Sequence, residues 1–136
     1  MGDSEPAAPR GRILLIDDDP ALGGYLTRVL TRGGFEVTHE LDSVSALRRV
    51  EAQDWDLLIT DIELPGMSGT ELLERIQLLQ PGLPVAVMTA HAAVDDSVAP
   101  EWSPTVEFMG KPVPSADLLS RVGVLIARGR AIRSVV

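Results

Sequence analysis

Cysteine is absent from this 136-residue sequence, which excludes disulfides and thiolate metal sites and leaves the redox compartment open. No apolar run approaches the roughly 18 residues needed to cross a bilayer. The opening Met1-Gly2-Asp3-Ser4-Glu5-Pro6 lacks the apolar core of a secretion signal. It begins Met-Gly, but Pro6 stands where a myristoylation motif wants Ser or Thr, so a cytoplasmic protein without a membrane partner is expected. Positive charge is scarce, with 12 Lys and Arg against 20 Asp and Glu. The resulting net charge of -8 argues against non-specific binding to nucleic acid or anionic lipid. What remains is 45% hydrophobic and 24% charged, the make-up of a soluble globule with one core.

Residues 1–11 are small, polar and Pro/Gly-containing, and read as a disordered lead. From Arg12 onward short strand-like runs alternate with helical patterns, the signature of a βα-repeating parallel sheet in a single domain over 12–127. Ile13–Ile16, Leu57–Thr60 and Val85–Met88 are apolar almost throughout, as central strands buried on both faces should be. Glu36–Glu40 alternates and so suits an edge strand. Asp19, Pro20 and Gly33 delimit a first helix, with Leu22, Tyr25, Leu26, Val29 and Leu30 at sheet-facing spacing. A second helix is expected over Ser43–Gln53. Ser68-Gly69-Thr70-Glu71 is a capping box opening a third, which would bury Leu72, Leu73, Ile76 and Leu79. Over Ala92–Thr105 a fourth helix can only be short or irregular, because Pro100 and Pro104 forbid a long one. The last helix should start near Ser115. Beyond it, 128–136 is a basic tail carrying Arg128, Arg130 and Arg133, either a helix extension or a linker cut short. Trp55 and Trp102 read as packing residues and the tail arginines as a solvated helix face.

The polar residues at the ends of these strands carry the chemistry. Asp17, Asp18 and Asp61, with Thr89 and Lys111, each follow an apolar run where strand gives way to loop. In open parallel sheets ligands bind beyond those strand ends. Carboxylates this close raise one another's pKa unless a cation enters, and a hard divalent ion such as Mg²⁺ suits a pocket shared with phosphate. Lys111 supplies a point charge and Thr89 a hydroxyl for a phosphoryl oxygen, while an aspartate can act as nucleophile and form an acyl phosphate.

Four segments in order, Ile-Leu-Leu-Ile-Asp-Asp-Asp-Pro (13–20), Asp-Ile-Glu-Leu-Pro-Gly-Met-Ser-Gly (61–69), Val-Met-Thr-Ala (87–90) and Phe-Met-Gly-Lys-Pro (108–112), resemble the receiver domain of two-component response regulators. The resemblance implies a flavodoxin-like, doubly wound α/β fold with five parallel strands in the order 2-1-3-4-5. It implies that Asp61 is the phosphoacceptor, and that Asp18 binds Mg²⁺ directly and Asp17 mostly through water. The main-chain carbonyl of Glu63 would be a further ligand, with Thr89 and Lys111 on the phosphoryl oxygens. Thr89 and Phe108 would form the conformational switch, and Glu63 and His91 occupy positions that modulate phosphoryl lifetime. Phe108 lacks the hydroxyl that tyrosine often brings to its position. Glu101-Trp102-Ser103-Pro104-Thr105 replaces the usual Gly-Ala-rich turn before the last strand. The implied partners are a sensor histidine kinase or phosphotransfer protein and an output domain or target outside this chain, with a homodimer as an option.

The resemblance implies a signalling domain that catalyses only its own phosphorylation and dephosphorylation. Two rivals stand beside it. One is a receiver fold used as a constitutive interaction module and never phosphorylated. The other is a haloacid-dehalogenase-type phosphatase, suggested by Asp17-x-Asp19, Thr89 and Lys111, though it lacks the late acidic pair and leaves Asp61 unexplained.

Overall fold

A computed structural model describes residues 8–62, 64–89 and 106–134. Five strands, β1 (Arg12–Ile16), β2 (Glu36–Glu40), β3 (Leu57–Asp61), β4 (Val85–Thr89) and β5 (Val106–Gly110), form one parallel sheet in the order β2-β1-β3-β4-β5. Four helices are present among the described residues: α1 (Pro20–Arg32), α2 (Ser43–Ala52), α3 (Gly69–Leu79) and α4 (Ser115–Ser134). The fourth helix expected after Thr89, with Trp102 and the Glu101–Thr105 segment, lies outside the described residues, as do 1–7 of the expected lead. No described helix is long and apolar enough to cross a membrane.

Successive strand residues point to opposite faces, so each central strand feeds two cores. Ile13, Leu15, Leu57, Ile59, Ala86 and Met88 face α1 and α4, meeting Leu26, Leu30, Leu118, Val122 and Leu125. Leu14, Ile16, Leu58, Val85 and Val87 face α2 and α3, meeting Ala46, Val50, Leu72 and Ile76. Both faces being buried explains why these strands are apolar throughout. The chain winds one way through β2 and the other way through β3 to β5, so the loops after β1 and β3 part and leave a crevice between them.

Local signals place the helices. The Asp19 carboxylate accepts hydrogen bonds from the amides of Ala21 and Leu22 with Pro20 at the first turn, and Ser68 accepts from Glu71 N. Gly33 ends α1 at a helical φ of -75°, and Gly34 takes the left-handed turn at +98°. Three sequence expectations need correction. Tyr25 is exposed because it lies about 100° round the helix from Leu26, on the flank of the buried stripe. Leu79 is exposed because it is the last residue of α3, at the rim beside Gln80 and Pro81. Residues 128–134 continue α4, the helix-extension alternative, but two of the three arginines there do more than face solvent. Arg130 and Arg133 lie 3.5 and 3.8 Å from Asp56 and donate to the carbonyls of Arg10 and Gly82.

The end of the sheet opposite the crevice is tied by Gln80. Its Nε2 donates to the carbonyls of Val50 and Gln53 at 2.8 and 2.7 Å, and its Oε1 accepts from Trp55 N at 3.2 Å. Trp55 is buried, and its Nε1 donates to Arg49 O, so both side chains satisfy the end of α2. Gln80→Ala is expected to lower stability by about 2 kcal/mol, because three backbone groups lose their partner together. Urea unfolding measures it, and an unchanged midpoint would mean that water replaces the amide without cost.

Candidate phosphoryl and metal pocket

Five side chains expected to converge come from the carboxyl ends of β1, β3, β4 and β5. Asp17 directly follows β1, and its backbone is fixed on both sides. Its N–H donates to Glu40 O at 3.1 Å, and its carbonyl accepts from His39 Nε2 at 2.9 Å. Asp17 is only 2% exposed, and its side chain accepts from Asp19 N at 2.9 Å through Oδ1. Asp18, one residue on, is exposed. Asp61 ends β3 in register with Met88 and is half-buried. Thr89 ends β4, buried, and its carbonyl accepts from Lys111 N at 2.7 Å. That bond, with the cis peptide between Lys111 and Pro112, sets the start of the loop after β5.

Lys111 is the cation of the pocket. Its Nζ donates to Asp61 Oδ2 at 2.5 Å and lies 3.9 Å from Asp17 Oδ2. Asp17, Asp18 and Asp61 each offer a carboxylate oxygen, and these lie within 4.8 Å of one another. Among the described residues, one ammonium against three carboxylates leaves an excess of negative charge in a partly buried place. The donor set is all hard oxygen, which fits Mg²⁺. Asp17 shows the strain of the arrangement. Burial raises its pKa above the usual carboxylate value, Asp61 and Asp18 push the same way, and the Asp19 amide and Lys111 oppose them.

A raised carboxylate pKa means that the folded chain holds this proton more tightly than the unfolded one. The associated stability is present below the ordinary value of 3.8 and is lost as pH rises through the higher folded value. Asp17→Asn is therefore expected to raise the Tm of chelator-treated protein at pH 7, with the gain shrinking toward acid pH. Thermal scans across pH check this, and a loss of stability at neutral pH would contradict it.

Phe108 lies on β5, half-buried against the α2–α3 core. It is in register with Val87, so Phe108, Val87 and Thr89 share one face of the sheet. Glu63 and His91 lie outside the described residues. Asp19 is turned to cap α1, with Oδ1 accepting from Ala21 and Leu22 at 3.0 and 3.3 Å. The second aspartate of the phosphatase reading is thus engaged elsewhere, while Asp61, which that reading omits, sits on the lysine. His39 is the residue that sequence reasoning missed. It belongs to a strand legible only as an edge, and nothing in its spacing ties it to the Asp17 carbonyl.

The chain matches the response regulator receiver domain family over residues 13–123. It is 35% identical over 125 residues to the transcriptional activator protein IrlR of Burkholderia pseudomallei, covering 92% of this chain and 54% of that protein. It is 38% identical over 110 residues to the transcriptional regulatory protein GlrR of Escherichia coli, covering 81% of this chain and 25% of that one. Among solved structures, a response regulator receiver domain protein from Clostridium thermocellum superposes with a TM-score of 0.80 at 28% identity, covering 89% of this chain and 98% of that one. The chain thus spans about half the length of IrlR and a quarter of GlrR.

Proposed function

This chain belongs to the response regulator receiver family, and on that premise we propose that Asp61 is its phosphoacceptor, served by the side chains gathered around it. Receiver domains are signalling modules of two-component systems whose family function is phosphorylation on aspartate, and they take Mg²⁺ in an acidic pocket. The observation that carries the assignment is the contact of Lys111 Nζ with Asp61 Oδ2 beside Asp17 and Asp18.

An Asp61 oxygen attacks the phosphorus of a phosphohistidine on a sensor kinase or phosphotransfer protein. The new O–P bond forms as the P–N bond breaks, and its electron pair returns to the imidazole of the donor. The product is an acyl phosphate on Asp61. Lys111 offers its charge, and Thr89 its hydroxyl, to the phosphoryl oxygens, which carry the negative charge that must be neutralised. Asp17 and Asp18, with Asp61 and the Glu63 carbonyl, are the proposed ligands of Mg²⁺, which when bound supplies further neutralising charge. The same pocket, on this reading, promotes both uptake and hydrolytic loss of the phosphoryl group, with Glu63 and His91 setting its lifetime. The reaction is assigned to the cytoplasm.

The output is conformational. Thr89 and Phe108 share one face of neighbouring strands, so movement of the hydroxyl toward a phosphoryl group frees space on the side where the ring lies. Phosphorylation biases two states a few kcal/mol apart and so changes the surface offered to an output domain, target protein or second copy.

The test is intact-mass spectrometry after incubation with acetyl phosphate and Mg²⁺, followed by proteolytic mapping. Addition of one phosphoryl group, placed on the peptide containing Asp61 and lost with chelator, is expected. No addition, where a control receiver is labelled, would favour the constitutive interaction module.

A further inference from the structure

We infer that His39 is a positioning residue for the metal pocket, fixing the peptide that joins Asp17 to Asp18; this rests on the proposed assignment of Asp17, Asp18 and Asp61 to Mg²⁺. His39 lies on the edge strand β2, paired with Leu15 of β1, and the next pair is Ile16 with Glu40. Its Nε2 is 2.9 Å from the Asp17 carbonyl oxygen. A carbonyl only accepts, so Nε2 carries the hydrogen. The carbonyl belongs to the peptide plane between the two aspartates, and its orientation governs how both side chains leave the end of β1. The peptide on the other side of Asp17 is held by Glu40 O at 3.1 Å. Consecutive residues of β2 therefore clamp Asp17 from both sides. The Glu40 bond is main-chain and any residue could supply it. The His39 bond needs a side-chain donor of this reach.

A second element is shaped for that ring. Gly23, buried within α1, faces it so closely that a Cβ there would fall 2.0 Å from His39 Cε1 and 2.2 Å from Nε2. Glycine is unfavourable inside a helix relative to alanine. Here its missing side chain is the space that the imidazole fills. Partners that orient metal ligands change affinity by about 10- to 100-fold when removed. Because His39 acts on a ligand's main chain, the lower end of that range is expected.

The experiment is isothermal titration of Mg²⁺ into the unphosphorylated protein, with unfolding followed separately in chelator. His39→Leu and Gly23→Ala are each expected to weaken Mg²⁺ binding about tenfold, and together no more than either alone, because both remove the same hydrogen bond. His39→Gln, which keeps an N–H donor, should recover most of the loss while unfolding in chelator at the same midpoint as His39→Leu. Wild-type affinity in His39→Leu, or equal loss in the leucine and glutamine variants, would overturn the inference and leave the pocket assignment standing. Should His39→Leu fail to fold, Gly23→Ala keeps the imidazole but displaces it and answers the same question. Failure of the wild type itself to bind Mg²⁺ would overturn both.

Discussion

Asp61→Asn is expected to take up no phosphoryl group from acetyl phosphate and Mg²⁺ over a period in which the wild type is fully labelled. The two side chains have nearly the same volume, and Asp61 is only half-buried, so the end of β3 should keep its shape. What is lost is the anionic oxygen that attacks phosphorus. Removal of a covalent nucleophile slows such reactions by about 10⁴-fold or more. The variant also loses the ion pair with Lys111, and it removes one of three crowded carboxylates, so the two electrostatic changes oppose each other. Mass spectrometry over time measures the uptake. Labelling that persists in Asp61→Asn but requires Asp17 would return the reaction to the phosphatase-like alternative and sink the present assignment.

Lys111→Met should give the next largest effect, and it should divide into two measurable parts. Uptake is expected to slow by about 10²- to 10³-fold, the loss seen when one fixed donor to a developing anion is removed. In chelator, stability should fall by about 3 kcal/mol, since Asp61 and Asp17 would be left in a partly buried place with their cation gone. Mg²⁺ should restore part of that stability by binding the folded state alone. Lys111→Arg should rescue charge but only part of the rate, because a planar guanidinium cannot sit as a point charge between two carboxylates. Chemical unfolding with and without Mg²⁺, beside a labelling time course, separates these outcomes. A variant labelled at the wild-type rate would remove Lys111 from the chemistry.

Much of this architecture was legible in the chain because burial on both faces of a parallel strand demands an unbroken apolar run, and few other structures do. β1, β3 and β4 announce themselves that way. The capping residues Asp19 and Ser68 mark their helices for an equally local reason, since an N-terminal turn needs an oxygen acceptor wherever it lies. Periodicity was less reliable at margins. It gives the direction in which Tyr25 and Leu79 point but not how far the opposing sheet extends to cover them. The arginines beyond Ile126 were ambiguous because their partner, Asp56, is distant in sequence.

The pocket divides along the same line. Which residues are proposed for the chemistry came from local pattern: each of Asp17, Asp18, Asp61, Thr89 and Lys111 stands where an apolar strand ends, and the family resemblance implies a role for each. That Lys111 rests on Asp61 rather than elsewhere among the carboxylates depended on the register of β3, β4 and β5, with the hydrogen bond from Lys111 N to Thr89 O. That Asp17 is deeply buried and Asp18 exposed, though adjacent and chemically identical, depended on the turn leaving β1. His39 and Gly23 acquired meaning only when β2 was laid beside β1 and α1 folded over them. Residue type and spacing carry composition and periodicity, which are properties of short segments. Register and close approach are properties of pairs far apart in the chain, and only packing the whole fold decides them.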